Sequence, residues 1–262
     1  MTSLQMPLRN PDIWFMGAVP PEIEGLQHVL TDIRPFSVGG RSGLVGTVSG
    51  AAVGGIVTGP GPLNAAQAST ALAETLRPRA LIQIGCAGAF SSFGVGMGDV
   101  VVGTEVIDAS SGLESPDPDR FVDPLPFPVL RHGETKIQQT YPVDHLRAER
   151  VADYLVRWFS EDPKTRVTTG PILSVSTITA TDKRADLLFK DWSPAMEAME
   201  GAGMAHVCHH YKIPFIEVRV ASNCVGGRDR GAWDLDGAFE KCRRILSGLL
   251  AADLPQLLAL SQ

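Results

Sequence analysis

The sequence predicts a single α/β domain over residues 1–262, with a mostly parallel central sheet flanked by helices. Three observations predict it. Apolar runs of strand length alternate with helical segments, the pattern of βαβ units and a parallel sheet. One run, residues 80–85 (ALIQIG), is almost continuously apolar, as expected of a strand covered on both faces. Residues 199–230 read as a helix (201 to about 212), a Pro-bounded strand (215–221) and a Gly-rich loop opening at Ser222-Asn223.

The elements follow in order. Residues 12–18 (DIWFMGA) form a first buried strand, broken by Pro20-Pro21, and residues 22–31 a helix with Ile23, Leu26, Val29 and Leu30 on one side. Two β-rich runs, 44–49 and 52–58, lead through a Gly-Pro-Gly-Pro turn into an Ala-rich helix, 63–76. Strand 80–85 runs into CAGAF, whose small residues, Gly88 among them, let a ligand approach the backbone. A strand over 99–108 precedes the Pro-rich segment 110–128, expected to be a surface loop, a lid or a subunit contact. Then come an amphipathic helix (143–159), a strand (167–176), a helix (182–190) capped by Thr181 or Asp182, and a closing helix (235–250).

Bulk composition bounds the function. A hydrophobic fraction of 44% supplies a large core, and only 6% aromatics leave the packing to Ala, Val, Leu and Ile. The net charge of -6 argues against a nucleic-acid partner, which wants a basic face. No apolar run approaches the ~20 residues of a membrane span. The first residues lack the layout of a signal peptide. With Cys86, Cys208, Cys224 and Cys242 in no pairing pattern, free thiols in a reducing cytoplasm are expected.

Several chemistries are excluded. No GxGxxG opens a helix after a strand, GVGMGD at 94–99 has the wrong spacing, and there is no GxxxxGK[ST] or GxSxG. His206 and His210 lie four apart, but no HExxH glutamate or third ligand accompanies them, so neither metal nor cofactor is expected. What remains is one carboxylate, Glu200, where a helix begins, and one amide, Asn223, where a strand ends. In open α/β sheets ligands gather there, outside the carboxyl ends of strands.

MEGAGMAHVCHHYKIPF followed by VRVASN resembles the purine nucleoside phosphorylase/nucleosidase family. WFMGAVPPEIEGL, GPGPLNAAQAST and IGCAGAF with GMGDVVVG extend the likeness over most of the chain, while residues 110–143 match poorly. The resemblance implies a twisted central sheet surrounded by helices and a cofactor-free homo-oligomer acting on a small-molecule nucleoside. Glu22 falls where the nucleosidase branch has the carboxylate that activates water. Met199 and Glu200 fall on its Met-Glu pair, the Glu gripping the ribose hydroxyls. Ile178 and Thr179 would flank the base, and Arg219, inside an apolar strand, should pair with an acid, Glu200 being one candidate.

Asn223 departs from the adenine-releasing nucleosidases, which have an Asp beside the purine N7. An adenine leaving with a proton on N7 presents two donors, suiting an aspartate. Hypoxanthine presents a donor at N7 and an acceptor at O6, suiting an amide. A 6-oxopurine is therefore expected. Downstream, CVGGRDRGAW resembles the futalosine-hydrolysing branch, which removes hypoxanthine from futalosine in menaquinone synthesis; Arg228 or Arg230 would pair the 5′ carboxylate. Gln83 stands where hexameric phosphorylases have an Arg for phosphate, which favours water as nucleophile. An adenine-releasing nucleosidase, a phosphorylase acting on inosine and a non-catalytic nucleoside-binding protein remain open alternatives.

Overall fold

Trp14, Phe15 and Met16 are each wholly buried, and with them all of β1 (Ile13–Gly17), as an apolar run without alternation requires of a strand covered on both faces. The computed structural model describes residues 10–227, 231 and 233–260. After β1 come α1 (Pro20–Ile23), α2 (Leu26–Val29), β2 (Thr31–Val38), β3 (Arg41–Val48), β4 (Ala51–Val57), α3 (Pro62–Leu76), β5 (Ala80–Ala89) and β6 (Val100–Asp108). The second half holds β7 (Leu130–His132), β8 (Thr135–Ile137), β9 (Thr140–Pro142), α4 (His145–Trp158), β10 (Val167–Ser174), α5 (Asp182–Trp192), β11 (Met196–Ala198), α6 (Gly201–Tyr211), β12 (Phe215–Cys224), α7 (Leu235–Ala251) and α8 (Leu254–Leu257).

Among the described residues, the main sheet runs β11-β10-β6-β12-β5-β1-β4-β3-β2, with β9 alongside β6. Its centre, β4-β1-β5-β12, is parallel. Antiparallel pairing enters where β12 meets β6 and along the β4-β3-β2 meander. β11 pairs with both β10 and β5, closing β5, β12, β6, β10 and β11 into a ring. Helix α7, with Ile245, Leu246 and Leu249 buried, packs on β5 and β12, while α3 packs on α6. Leu, Ile, Val and Ala dominate this core, as the low aromatic content requires.

The structure corrects several boundaries. Residues 22–31 are not one helix but two single turns, α1 and α2. Pro20 and Pro21 start α1 rather than merely ending β1, since the first helical turn needs no proline N–H. The turns divide at Gly25, where a side chain would lie 2.9 Å from the backbone of Arg243 in α7. Strand β2 is absent from the sequence reading because TDIRPFSV is polar and contains a proline, which an edge strand tolerates. Strand β5 continues beyond the expected 80–85 through CAGA, because β11 and β12 supply its hydrogen bonds. Strand β12 likewise carries Asn223 and Cys224, after a register shift between Ala221 and Asn223, so Asn223 belongs to the strand and not to the following loop. Thr181 caps α5 by accepting the N–H of Arg184. Segment 110–128 forms no helix or ladder beyond a single Leu113–Asp123 bridge, and Phe121 docks on α5 by donating its N–H to Asp191 at 2.9 Å.

Candidate active site

The carboxyl half of β5 is the rail on which the site is laid. Glu22, at the third position of α1, reaches down onto it. Its Oε2 accepts the N–H groups of Ala18 (2.6 Å) and Val19 (3.2 Å), and its Oε1 accepts that of Cys86 in β5 (2.9 Å). Three backbone donors therefore fix a side chain that is only 4% exposed. Burial nevertheless holds its carboxyl above the ordinary range, opposed by the charge of Arg219 and the Cys86 N–H.

Arg219 in β12 is the hub. Its Nε donates to Glu217 Oε1 at 2.7 Å and its Nη2 to Glu200 Oε2 at 2.9 Å, while Nη1 reaches the carbonyl of Cys86 at 3.3 Å. The expected partner, Glu200, is thus present. Glu217, on the same strand face two residues earlier, is an additional one that the sequence reading missed. Its signal was an acid two residues before a base in an otherwise apolar strand. Burial works against the charge of Arg219, but Glu217, Glu200 and Glu22 outweigh it and raise its pKa. The Glu217 carboxyl is also raised by burial, with Arg219 opposing. Three acids and one base buried together leave excess negative charge, which raised carboxyl pKa values relieve.

Glu200 is the N-cap residue of α6, and its Oε1 accepts the N–H of Gly61 at 2.9 Å. The GPGP turn before α3 and the start of α6 are tied together through this carboxylate. Met199 packs against a buried cluster that includes Phe90, Leu173 and Val175. Gln83 is wholly buried beside Glu217 in the register, and its amide finds no hydrogen-bond partner among the described residues.

Five residues beyond Gln83 on β5, Gly88 faces Asn223 in the register of β12. A side chain at Gly88 would lie 3.2 Å from Asn223 Nδ2 and 2.8 Å from Val225. Asn223 Nδ2 donates to the carbonyl of Cys224 (3.0 Å), and its Oδ1 accepts from Ser222 Oγ (2.9 Å). A carbonyl only accepts, so the contact with Cys224 fixes which end of the amide is NH₂. One lone pair and one N–H remain for a ligand. Gly85, against Glu22, and Gly88, against Asn223, are about 10 Å apart along the strand at ~3.3 Å per residue.

The remaining expected residues divide. Ile178 is 38% exposed and adjoins Thr179, which is buried. Both polar groups of Thr179 go to Glu197 in β11, its N–H to Oε1 at 2.9 Å and its hydroxyl to Oε2 at 2.5 Å. Arg228 and Arg230 lie outside the described residues. His206 is engaged through Nδ1 with the Tyr141 hydroxyl at 3.1 Å, and no set of three metal-ligating side chains gathers among the described residues. No described helix is long and apolar enough to cross a membrane.

The fold defines the class: an α/β protein of nucleoside phosphorylase type, with buried acids gathered around Arg219 along β5. The chain belongs to the phosphorylase superfamily, whose model matches residues 12–253. A futalosine hydrolase from Acidothermus cellulolyticus is 33% identical over 64% of this chain and 64% of that relative's length, a little under two thirds. The Thermus thermophilus futalosine hydrolase is 30% identical over 75% of this chain and 80% of its own. A 5′-methylthioadenosine/S-adenosylhomocysteine nucleosidase from Actinobacillus succinogenes is 27% identical over 82% and 86%. Among solved structures, a nucleosidase of that kind from Colwellia psychrerythraea with adenine superposes with TM-score 0.76, at 20% identity over 94% of this chain and 97% of its own. The Helicobacter pylori futalosine hydrolase gives 0.75, at 17% identity over 92% and 98%. Within the superfamily the chain groups with N-glycosyl hydrolases.

Proposed function

We propose that the protein hydrolyses the N-glycosidic bond of futalosine, releasing hypoxanthine and dehypoxanthine futalosine, as a cofactor-free cytoplasmic homo-oligomer in menaquinone biosynthesis. The observation that carries this reading is the Asn223 amide, oriented by the Cys224 carbonyl and left with one acceptor lone pair and one donor N–H unused. That pair matches the N7–H and O6 edge of departing hypoxanthine and mismatches the two donors of adenine. The CVGGRDRGAW segment and the futalosine hydrolase relatives support the same substrate.

In this mechanism the bond from N9 to C1′ stretches toward an oxocarbenium-like state. Glu200, tied to Arg219 and the Gly61 N–H, uses its remaining lone pairs on the 2′ and 3′ hydroxyls. Glu22 removes a proton from water, whose oxygen bonds to C1′ on the face opposite the base. The electron pair of the broken bond goes to the purine, which takes a proton on N7 from solvent while Asn223 Oδ1 accepts that N–H. A carboxyl raised by burial is a stronger base than an ordinary one, which suits Glu22 to the task. Water rather than phosphate is favoured because Gln83 offers no charge and Glu22 repels a dianion.

The test is free-base release from futalosine, inosine and methylthioadenosine, with and without phosphate. Hypoxanthine from futalosine, independent of phosphate, is expected. Phosphate-dependent release from inosine would make the protein a phosphorylase, and turnover of methylthioadenosine but not futalosine would make it an adenine-releasing nucleosidase.

A further inference from the structure

Glu217 is wholly buried, and its one hydrogen bond among the described residues is the 2.7 Å contact that Oε1 accepts from Arg219 Nε. Its Oε2 lies against Gly201 at the start of α6, where any Cβ would collide with it, so the carboxyl has little room to swing. Glu217 and Arg219 are two apart on one strand and share a face, over Gln83 and Gly85 in the register of β5.

Neutrality does not explain this acid. Glu200 and Glu22 already outnumber the single charge of Arg219, and a third buried carboxyl adds negative charge at a desolvation cost. What Glu217 supplies is direction. Nε lies within the arginine side chain, so a bond to it fixes the plane of the guanidinium, and the directions of Nη1 and Nη2 follow. In this orientation Nη2 bonds Glu200 at 2.9 Å. Nη1 comes near Glu22 Oε1 over Gly85 but bonds the Cys86 carbonyl instead, at 3.3 Å. Glu22 is left to backbone N–H donors.

We propose that Glu217 is a positioning residue for the hydrolysis: by holding Arg219 at Nε it keeps the guanidinium on Glu200, which grips the sugar, and off Glu22, which takes the proton from water. This rests on the role given to Glu22 above and adds what keeps that carboxylate a base. Besides Arg219, the groups facing Glu22 are Glu200 at the start of α6, the Cys86 N–H of β5 and the Cys242 thiol of α7. Arg243 of α7, beside Gly25, is paired with Glu240, and β1 and β4 bring no titratable side chain.

Two variants separate contact from charge. Glu217→Asp keeps the charge but withdraws it from Nε by one methylene; Glu217→Gln keeps an oxygen at Nε and loses the charge. Two readouts apply to each: the acid limb of the kcat/KM profile against pH, and the titration of the carboxyl ¹³C resonance that Glu22→Gln removes. In Glu217→Asp the freed guanidinium should turn to Glu22, moving both readouts about one pH unit or more toward acid and lowering plateau kcat roughly tenfold or more. Glu217→Gln should stay close to the wild type in both. A merely structural role would lower Tm and move neither. Unmoved readouts in Glu217→Asp, or a shift in Glu217→Gln as large as that expected for Glu217→Asp, overturn the proposal, and each variant can do so alone. A wild-type protein that hydrolyses no nucleoside would remove the functional reading itself, while the carboxyl titration, which needs no turnover, reports separately on where Arg219 points.

Discussion

Glu22 and Arg219 meet over the bare backbone of Gly85. A methyl group placed there would stand 2.5 Å from Glu22 Oε1 and 2.6 Å from Arg219 Nη1. Helix α1 and strand β12 thus deliver opposite charges to one point on β5, and the missing side chain makes the room. Gly85→Ala should therefore push the pair apart, lowering kcat at least tenfold and Tm by several degrees. Steady-state kinetics and thermal unfolding on the same preparation check both effects.

Removing the hub should cost more than removing a spoke. Arg219→Met leaves Glu22, Glu200 and Glu217 buried without their shared cation, and the expected loss is about 3–5 kcal/mol. Denaturant titration measures it. The loss should shrink at acid pH, where the Glu22 and Glu217 carboxyls, already raised by burial, take up protons.

The raised carboxyls also predict how stability varies with pH. A group that binds its proton more tightly folded than unfolded stabilises fully below its unfolded pKa, and that contribution is lost as pH rises through the folded value. Glu22 is such a group, so the wild-type protein should lose stability on going from about pH 4.5 upward through the folded pKa of Glu22. Glu22→Gln should flatten that dependence, while futalosine hydrolysis falls by roughly a hundredfold or more. Unfolding free energies at pH 5, 7 and 9 provide the comparison.

Asn223→Asp exchanges an acceptor-donor pair for two acceptors. The ratio of kcat/KM for futalosine over methylthioadenosine should drop by about 10- to 100-fold, the scale of one mismatched buried hydrogen bond to a charged group. A ratio unchanged by the substitution would remove Asn223 from base recognition.

Gln83 offers a stabilising change. Its amide is buried without a partner among the described residues, and Met is close to it in shape. Gln83→Met should raise stability by about 1–2 kcal/mol, because no polar group remains to be desolvated. Equilibrium unfolding decides, and a loss of stability would mean that the amide has a partner in solution.

Much of the fold was legible beforehand where a physical pattern was local. The apolar runs of β1 and β5, the cap at Thr181 and the helix opening after Glu200 each follow from a few consecutive residues. Legibility failed where a partner elsewhere made the decision. Polar β2 is a strand because β3 lies beside it, the CAGA end of β5 is extended because β11 and β12 bond to it, and MEA of β11 is too short to show any period.

The site divides in the same way. The amino-acid sequence by itself determined which side chains were available for chemistry: acids at Glu22 and Glu200, an amide at Asn223, and glycines where a ligand needs the backbone. Only the tertiary structure decided that Arg219 stands among three acids, and that Asn223 faces Gly88. The reason is that charge pairing and strand register join residues far apart in the chain. Their energies depend on distance and burial, neither of which a local pattern of residues encodes.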